Sequence, residues 1–181
     1  MRPLLTLIFI ILTTFVQAAP LRITITEGVS EPLPYAAPTF IGETGASIEM
    51  ALKITEVVKV DLNGTGLFRE VPSSSYISSV DTFSSPIQYS DWRAINVQAL
   101  LIGSVLVTRE NLSVKLRIID VFSNKELGEV LEINFNKKKL RRVAHKISDI
   151  VYSRITGEQG YFDSRVAYVS ETGKKGSREK R

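Results

Sequence analysis

Hydrophobic and polar positions alternate in two distinct rhythms along this chain. Residues 21–26 read Leu-Arg-Ile-Thr-Ile-Thr, with Leu21, Ile23 and Ile25 on one side and Arg22, Thr24 and Thr26 on the other. A period of two predicts a half-buried strand, ended by Glu27-Gly28. Pro32, Pro34 and Pro38 punctuate the next extended stretch, through Phe40 and Ile41. Proline gives no ladder donor, so this strand is expected to be short, kinked or at an edge. Residues 47–62 change to the helical step, with Ile48, Leu52, Thr55, Val58 and Leu62 on the expected stripe and Asn63-Gly64 as the stop.

Residues 67–71 predict a brief strand. The Ser-rich stretch 73–85 then predicts a turn or two of helix and a loop, with Tyr76, Ile77 and Val80 as its apolar points. Asp91 or Ser90 is placed to cap a short helix reaching Ile95. Residues 99–107 form an unbroken apolar run, the signature of a strand buried on both faces. Arg109-Glu110-Asn111 turns the chain. Leu112, Val114, Leu116 and Ile118 then alternate with polar residues, and Ser123-Asn124 turns it again. Val130, Leu131, Ile133 and Phe135 return to complete an antiparallel meander. From Lys137 to Ile155 the step is helical again: Leu140, Val143, Ala144, Ile147, Ile150, Val151 and Ile155 share one stripe, and Gly157 suits a left-handed cap. Residues 166–169 read as a strand opening. The order predicts a two-layer α/β domain, a mixed sheet with its main helices on one face.

The start of the chain belongs to a different rhythm. Met1-Arg2 precedes an apolar run of 13 residues ending at Val16. That is short of the ~20 needed to span a bilayer. Val16 and Ala18 are small residues at the −3 and −1 positions, so residues 1–18 are expected to be a secretory signal cleaved between Ala18 and Ala19. No cysteine is present, so packing alone must hold an exported domain together. The expected organisation is therefore signal 1–18, α/β domain 19–162, and a segment 163–181 that begins a following domain. With only Gly-containing basic sequence behind it, that last segment is expected to stay disordered.

Net charge is +4. The excess sits at the ends, in Arg2 and in Lys174, Lys175, Arg178, Lys180 and Arg181. Between them, residues 3–170 hold 17 basic and 17 acidic side chains. A body without net field is a poor polyanion receptor, which argues against nucleic acid. The basic cluster Lys137, Lys138, Lys139, Arg141 and Arg142 lies at a helix start, the unfavourable end for cations. It reads as a solvated entrance or as a site for an acidic surface.

Catalytic constellations are weak. His145 is the one histidine. Ser148 and Asp149 lie near it on the same helix, a spacing that does not build a nucleophile elbow. The structural reading places His145 at a helix–sheet seam. Asp81, Asp91, Asp120 and Asp163 sit at turns or element ends, where aspartate serves local geometry. One histidine without cysteine makes no usual structural zinc site. Asn63-Gly64-Thr65-Gly66 lacks the Lys-Ser/Thr of a phosphate loop and reads as a helix exit. No catalytic residue, cofactor or metal is assigned.

Four segments carry a family resemblance: LRITITEGVSEPLPYAAPTF, VVKVDLNGTGLFREV, DWRAINVQALLIGSV and AHKISDIVYSRITGEQGYFDSRVAYVSETG. In order, they resemble the amino-terminal domain of the TolB family of the Tol-Pal envelope system. In that family the last segment leads into a six-bladed β-propeller, which does not follow Val169 here. The resemblance implies a periplasmic protein-interaction module serving outer-membrane integrity and constriction at division. It implies docking of the mature amino terminus to the inner-membrane protein TolA, through Leu21, Arg22, Ile23, Thr24, Ile25, Thr26, Glu27 and Gly28. An extended terminal segment suits such docking, because its edge can add to a partner's sheet. The lipoprotein Pal is expected not to bind, since the family's surface for it lies on the propeller. Two other readings remain: a non-functional fragment of a split gene, and an exported ligand-binding domain or enzyme with an unrecognised site.

Overall fold

The computed structural model describes residues 31–165, 167–169, 171–173 and 179–180. The expected strand 21–26, the cleavage site at Ala18-Ala19 and the rest of the leader lie outside the described residues.

Among these residues a seven-stranded mixed sheet forms the centre. Strands β1 (Leu33–Ala36) and β2 (Ile41–Gly42) both run parallel to β4 (Ala99–Val107), and β3 (Phe68–Glu70) runs parallel to β1. Strand β5 (Asn111–Asp120) pairs antiparallel with β4. It also pairs with β6 (Lys125–Glu126) at one end and β7 (Leu131–Asn136) at the other. The helices are α1 (Gly45–Gly64), α2 (Tyr89–Ala94) and α3 (Leu140–Thr156). The predicted α/β class, the mixed sheet and the meander are all present.

Proline placement explains the broken strand. β1 is short, as expected, but it is not at an edge: β3 and β4 flank it. Leu33 N and Tyr35 O bond to the β3 side, at Leu67 O and Val71 N, while Pro34 O accepts from Gln98 N. The imide nitrogen of Pro34 therefore faces β4 just before that ladder begins at Tyr35 and Ala99. The missing donor falls where no acceptor is due. After Pro38 the chain resumes as β2 further along β4.

The stripe on α1 differs from the expected one. Ser47, Ala51, Ile54, Thr55, Val58 and Leu62 are buried, whereas Ile48 is 56% and Leu52 49% exposed. Apolar residues surround much of this helix, so periodicity alone does not select a face. Small and hydroxyl side chains face inward because the helix lies close to the sheet. A Cβ at Gly42 would come within 2.4 Å of Ile48 N. The Thr55 hydroxyl donates to Ala51 O at 2.8 Å and accepts from Phe40 N at 2.9 Å, so its burial leaves no polar atom unsatisfied. Thr44 caps the helix by accepting from Ser47 N, and Ser47 Oγ accepts from Val107 N, tying the helix start to β4.

Helices α1 and α3 cover one face of the sheet. Tyr35, Leu101, Val105, Leu112, Leu116, Val143, Ile147 and Val151 belong to that core. Gly103 is glycine because Phe40 lies on it: a Cβ there would meet the ring at 2.4 Å. The opposite face buries Leu100, Ile102, Ile119 and Val121 beneath the Ser-rich stretch. Trp92, Tyr76, Val80, Phe83 and Ile87 supply that cover, whereas Ile77 is exposed. The Ser-rich segment is thus a lid, anchored by a 3-10 turn (Ser73–Ser75) and by α2. Gln88, not Asp91 or Ser90, occupies the cap position of α2. Asp91 instead accepts from Ser78 Oγ, holding the lid to the helix.

As expected, α3 ends on Gly157 at φ 81° with its N–H on Ser153 O. Asp149 then accepts from the backbone N–H groups of Phe162 and Asp163 at 2.7 and 3.2 Å, pinning the following link onto the helix. Beyond it, Glu171–Thr172 pairs with Glu179–Lys180 as a two-stranded ladder, β8 and β9.

Candidate functional site

The residues singled out for partner docking, Leu21 to Gly28, lie outside the described residues. The chain enters the described structure at Glu31 and Pro32, directly before β1 in the middle of the sheet.

Within the described residues, ionisable groups converge at the seam between α1 and α3. Asp61 on α1 lies 2.8 Å from His145 Nδ1 and accepts from Ser148 Oγ at 2.7 Å, both on α3. The i, i+3 spacing of His145 and Ser148 brings them to one side of α3. There they meet a carboxylate from 84 positions earlier in the chain. The seam joins two helices, not helix and sheet as the sequence reading had it. A carboxylate offers only lone pairs, so Nδ1 carries the proton facing Asp61. The order of groups decides the chemistry. In a nucleophile triad the histidine stands between hydroxyl and carboxylate. Here the carboxylate stands between the other two, and the serine proton goes to Asp61 and to Ala144 O. Nothing in this arrangement draws the proton from Ser148 onto His145. Asp61 works as a clamp between helices, and Asp149 is occupied with the link behind α3.

A cleft of about 230 Å³ opens beside the clamp, lined by Glu56, Val57, Val60, Asp61, Arg141 and His145. A second cleft, about 520 Å³, runs along the lid past Pro38, Thr39, Tyr76 and Val80. Burial, aided by the charge of Glu70, pushes the Tyr76 hydroxyl up to about 12. Its oxygen is buried and makes no hydrogen bond of good geometry among the described residues, although the Ala37 backbone lies near enough to offset part of that rise. On the other face burial pushes Tyr35 up as well, again with Glu70 adding to it. The Tyr35 hydroxyl points at Lys59 O and Asn63 Oδ1, each at 3.4 Å. Asn63 also accepts from Glu70 N at 3.1 Å, so the Asn-Gly-Thr-Gly stretch is a helix exit welded to β3. Gly66 there takes φ 72°.

The basic cluster forms a 3-10 turn (Lys137–Lys139) leading into α3. Lys137 Nζ bonds Arg109 O, its N–H bonds Glu110 O, and Arg142 pairs with Asp163 at 3.1 Å. Lys146 lies 5.7 Å from the centre of the Phe135 ring. The helix has no side-chain cap and no acid in its first turn. Asp120 accepts from Phe122 N and Ser123 N, the turn role expected of it. Among the described residues no group of three or more His, Asp or Glu side chains is placed to hold a metal ion. No described helix is long and apolar enough to cross a membrane.

Comparison with known proteins bears on the same residues. A family model described as the TolB amino-terminal domain matches residues 21–127. A Tol-Pal system protein TolB of Roseobacter denitrificans is 55% identical over 165 residues, covering 91% of this chain and 37% of its own length. One from Cereibacter sphaeroides is 54% identical with the same coverage. The crystal structure of TolB from Acinetobacter baumannii superposes with a TM-score of 0.65 at 25% identity, over 77% of this chain and 32% of that one. The chain therefore spans 37% of the length of these curated relatives. Its sheet, its helices and the matched sequence agree: this chain belongs to the TolB family, and it corresponds to that family's amino-terminal domain.

Proposed function

We propose that this chain acts in the periplasm as a protein-docking module of the Tol-Pal system. In this reading residues 1–18 direct export and are removed after Ala18. The mature amino terminus, Leu21 to Gly28, then docks a TolA-like inner-membrane protein, in support of outer-membrane integrity and constriction at division. The observation that carries the reading is the family match, which begins at Leu21 and so takes in the whole docking stretch. Physical chemistry supports it too. The alternation of Leu21, Ile23 and Ile25 presents one apolar edge to a partner, and Pro32 and Pro34 discourage the chain from continuing that strand into β1. No hydrolytic or metal-assisted chemistry is part of the proposal, since the His-Asp-Ser group is arranged as a clamp.

The test is deletion of residues 19–26. Binding to the carboxy-terminal domain of the TolA-like partner, measured by calorimetry, should be lost while the helical circular dichroism stays unchanged. Retained binding overturns the docking assignment. Loss of the helical signal instead assigns these residues to the domain's own sheet.

A further inference from the structure

The Ser-rich lid covers an apolar sheet face with few ties to it. From Pro72 to Asp91 no residue is fully buried, and Val80, Phe83 and Ile87 are half-buried. The sheet residues of the same cluster, Ile102 and Ile119, are closed to solvent. Among the described residues, every backbone-to-backbone hydrogen bond of residues 73–88 stays within residues 72–94, so no ladder joins the lid to β4 or β5. Two side-chain contacts close it instead. At the neck, Ser78 Oγ donates to Asp91, which joins the ends of a loop carrying Val80, Phe83 and Ile87. At the tip, Arg117 Nη1 donates to Phe83 O at 2.8 Å, and its guanidinium lies 5.9 Å from the centre of the Phe83 ring. Arg117 is held in turn by Glu126 of β6 at 2.7 Å. In the β4–β5 register Arg117 stands opposite Ile102, so the tip rests at that pair. The next residue of β5 on this face, Lys115, is exposed, which makes Arg117 the rim of the covered area. Near the neck the cover is loosely packed. The cleft of about 520 Å³ opens there between Pro38, Thr39, Tyr76 and Val80.

We propose that residues 79–90 form a flap that opens as a unit about the Ser78–Asp91 neck, with Arg117 as its latch, while the sheet and both long helices stay folded. A loop with joined ends and its own apolar side chains turned inward behaves as one compact body. Its half-buried contacts and lack of a ladder put its opening well below the cost of unfolding the domain. Arg117 holds the tip because a guanidinium fork reaches the Glu126 carboxylate and the Phe83 carbonyl together. Without it the carbonyl turns to water. Opening bares Ile102 and Ile119 and leaves the core between sheet and helices intact. The domain thus keeps a second apolar surface that is closed at rest. This device uses none of residues 21–28 and stands apart from the docking proposal.

The chain has no cysteine, so a single introduced thiol reports its own exposure. Ile102→Cys places it beneath the flap, and Val105→Cys places it on the other face of the same strand, under the helices. Both positions are 2% exposed. Reaction with Ellman's reagent under native conditions should run about tenfold or more faster at Ile102→Cys than at Val105→Cys. Adding Arg117→Ala should speed labelling of Ile102→Cys by about tenfold again and leave Val105→Cys within about twofold. Arg117→Lys keeps the charge without the fork and should act in the same direction. Equal labelling at the two positions overturns the proposal, because the flap then opens only with the whole domain. So does a parallel acceleration at both positions in Arg117→Ala, which makes Arg117 a general stabilising residue. An unchanged rate at Ile102→Cys takes the latch away from Arg117 and overturns it too. Hydrogen exchange on Arg117→Ala without a cysteine reads the same opening. Amides of residues 79–88 should exchange faster and those of α3 should not, and unchanged exchange in the flap overturns the proposal equally.

Discussion

The two faces of the sheet are buried in different ways. On one, α1 and α3 lie side by side, each closed by its own backbone hydrogen bonds and clamped to the other through Asp61. On the other, the residues from Ser73 to Ile95 are laid over Leu100 and Ile119 with little regular structure. The backbone hydrogen bonds found in that cover are local, such as Ser75 to Pro72, Tyr76 to Ser73 and Ser85 to Thr82. Adjacent residues of β4 sample both environments: Leu101 is buried against the helices and Leu100 against the lid. Burial is complete in both cases, so exposure alone does not distinguish them. The difference lies in how each cover can respond when an atom is removed.

The largest expected effect tests that response directly. Leu101→Ala and Leu100→Ala should each cost about 2–5 kcal/mol in urea unfolding, with Leu101→Ala towards the upper end. Two packed helices cannot close on a cavity, whereas a loop can settle into one. Equal losses would break the comparison.

Asp61→Ala comes next. It leaves His145 and Ser148 without their shared acceptor and should cost about 1–3 kcal/mol. The loss should appear as faster hydrogen exchange along α3, with the lid unaffected. In the unaltered protein, amides of residues 73–85 should exchange by local opening, well before those of α3 and β4. Coincident exchange of lid and helices would make them one cooperative unit.

Tyrosines on the two faces sharpen the contrast at high pH. Burial raises both Tyr35 and Tyr76 above the ordinary value of 10.0, so the unfolded chain loses these protons first. Stability is therefore fully present below pH 10.0 and falls as pH rises from there through about 12, where Tyr76 ionises in the folded protein. Tyr35→Phe and Tyr76→Phe should each flatten that fall in pH-dependent thermal melts. The smallest effect distinguishes the two at neutral pH. Tyr76→Phe removes a buried hydroxyl whose one neighbouring backbone group, at Ala37, is poorly aligned, and should raise stability by up to about 1 kcal/mol, whereas Tyr35→Phe should lower it slightly. A destabilising Tyr76→Phe would show that the Ala37 backbone holds this hydroxyl in a full hydrogen bond.

How far each region was legible follows from the same contrast. Most of the α3 stripe is legible, because charged side chains leave one face to be apolar: Val143, Ala144, Ile147, Val151 and Ile155 are buried as expected, whereas Leu140 and Ile150 are only partly buried and Ser148, Tyr152 and Thr156 join the buried face. The meander was equally plain: β4 has nine residues of unbroken apolar character, and β5 alternates. The stripe of α1 was misplaced because Ile48, Leu52, Val57 and Val60 make several faces apolar. The lid's role was invisible: Tyr76, Phe83, Ile87 and Trp92 follow no period, and serines separate them.

The sequence by itself determined the class of fold, the order of elements, the helix ends at Asn63-Gly64 and Gly157, and the absence of a nucleophile elbow around His145. These depend on neighbours within a few positions, where propensity, periodicity and capping act. Tertiary structure alone decided which face of α1 is buried, that Pro34 is tolerated between two strands, and that Asp61 joins His145 and Ser148. Each of those depends on groups brought together from distant parts of the chain. No local pattern encodes such a meeting, and the energy that settles it arises only when the sheet and helices are packed.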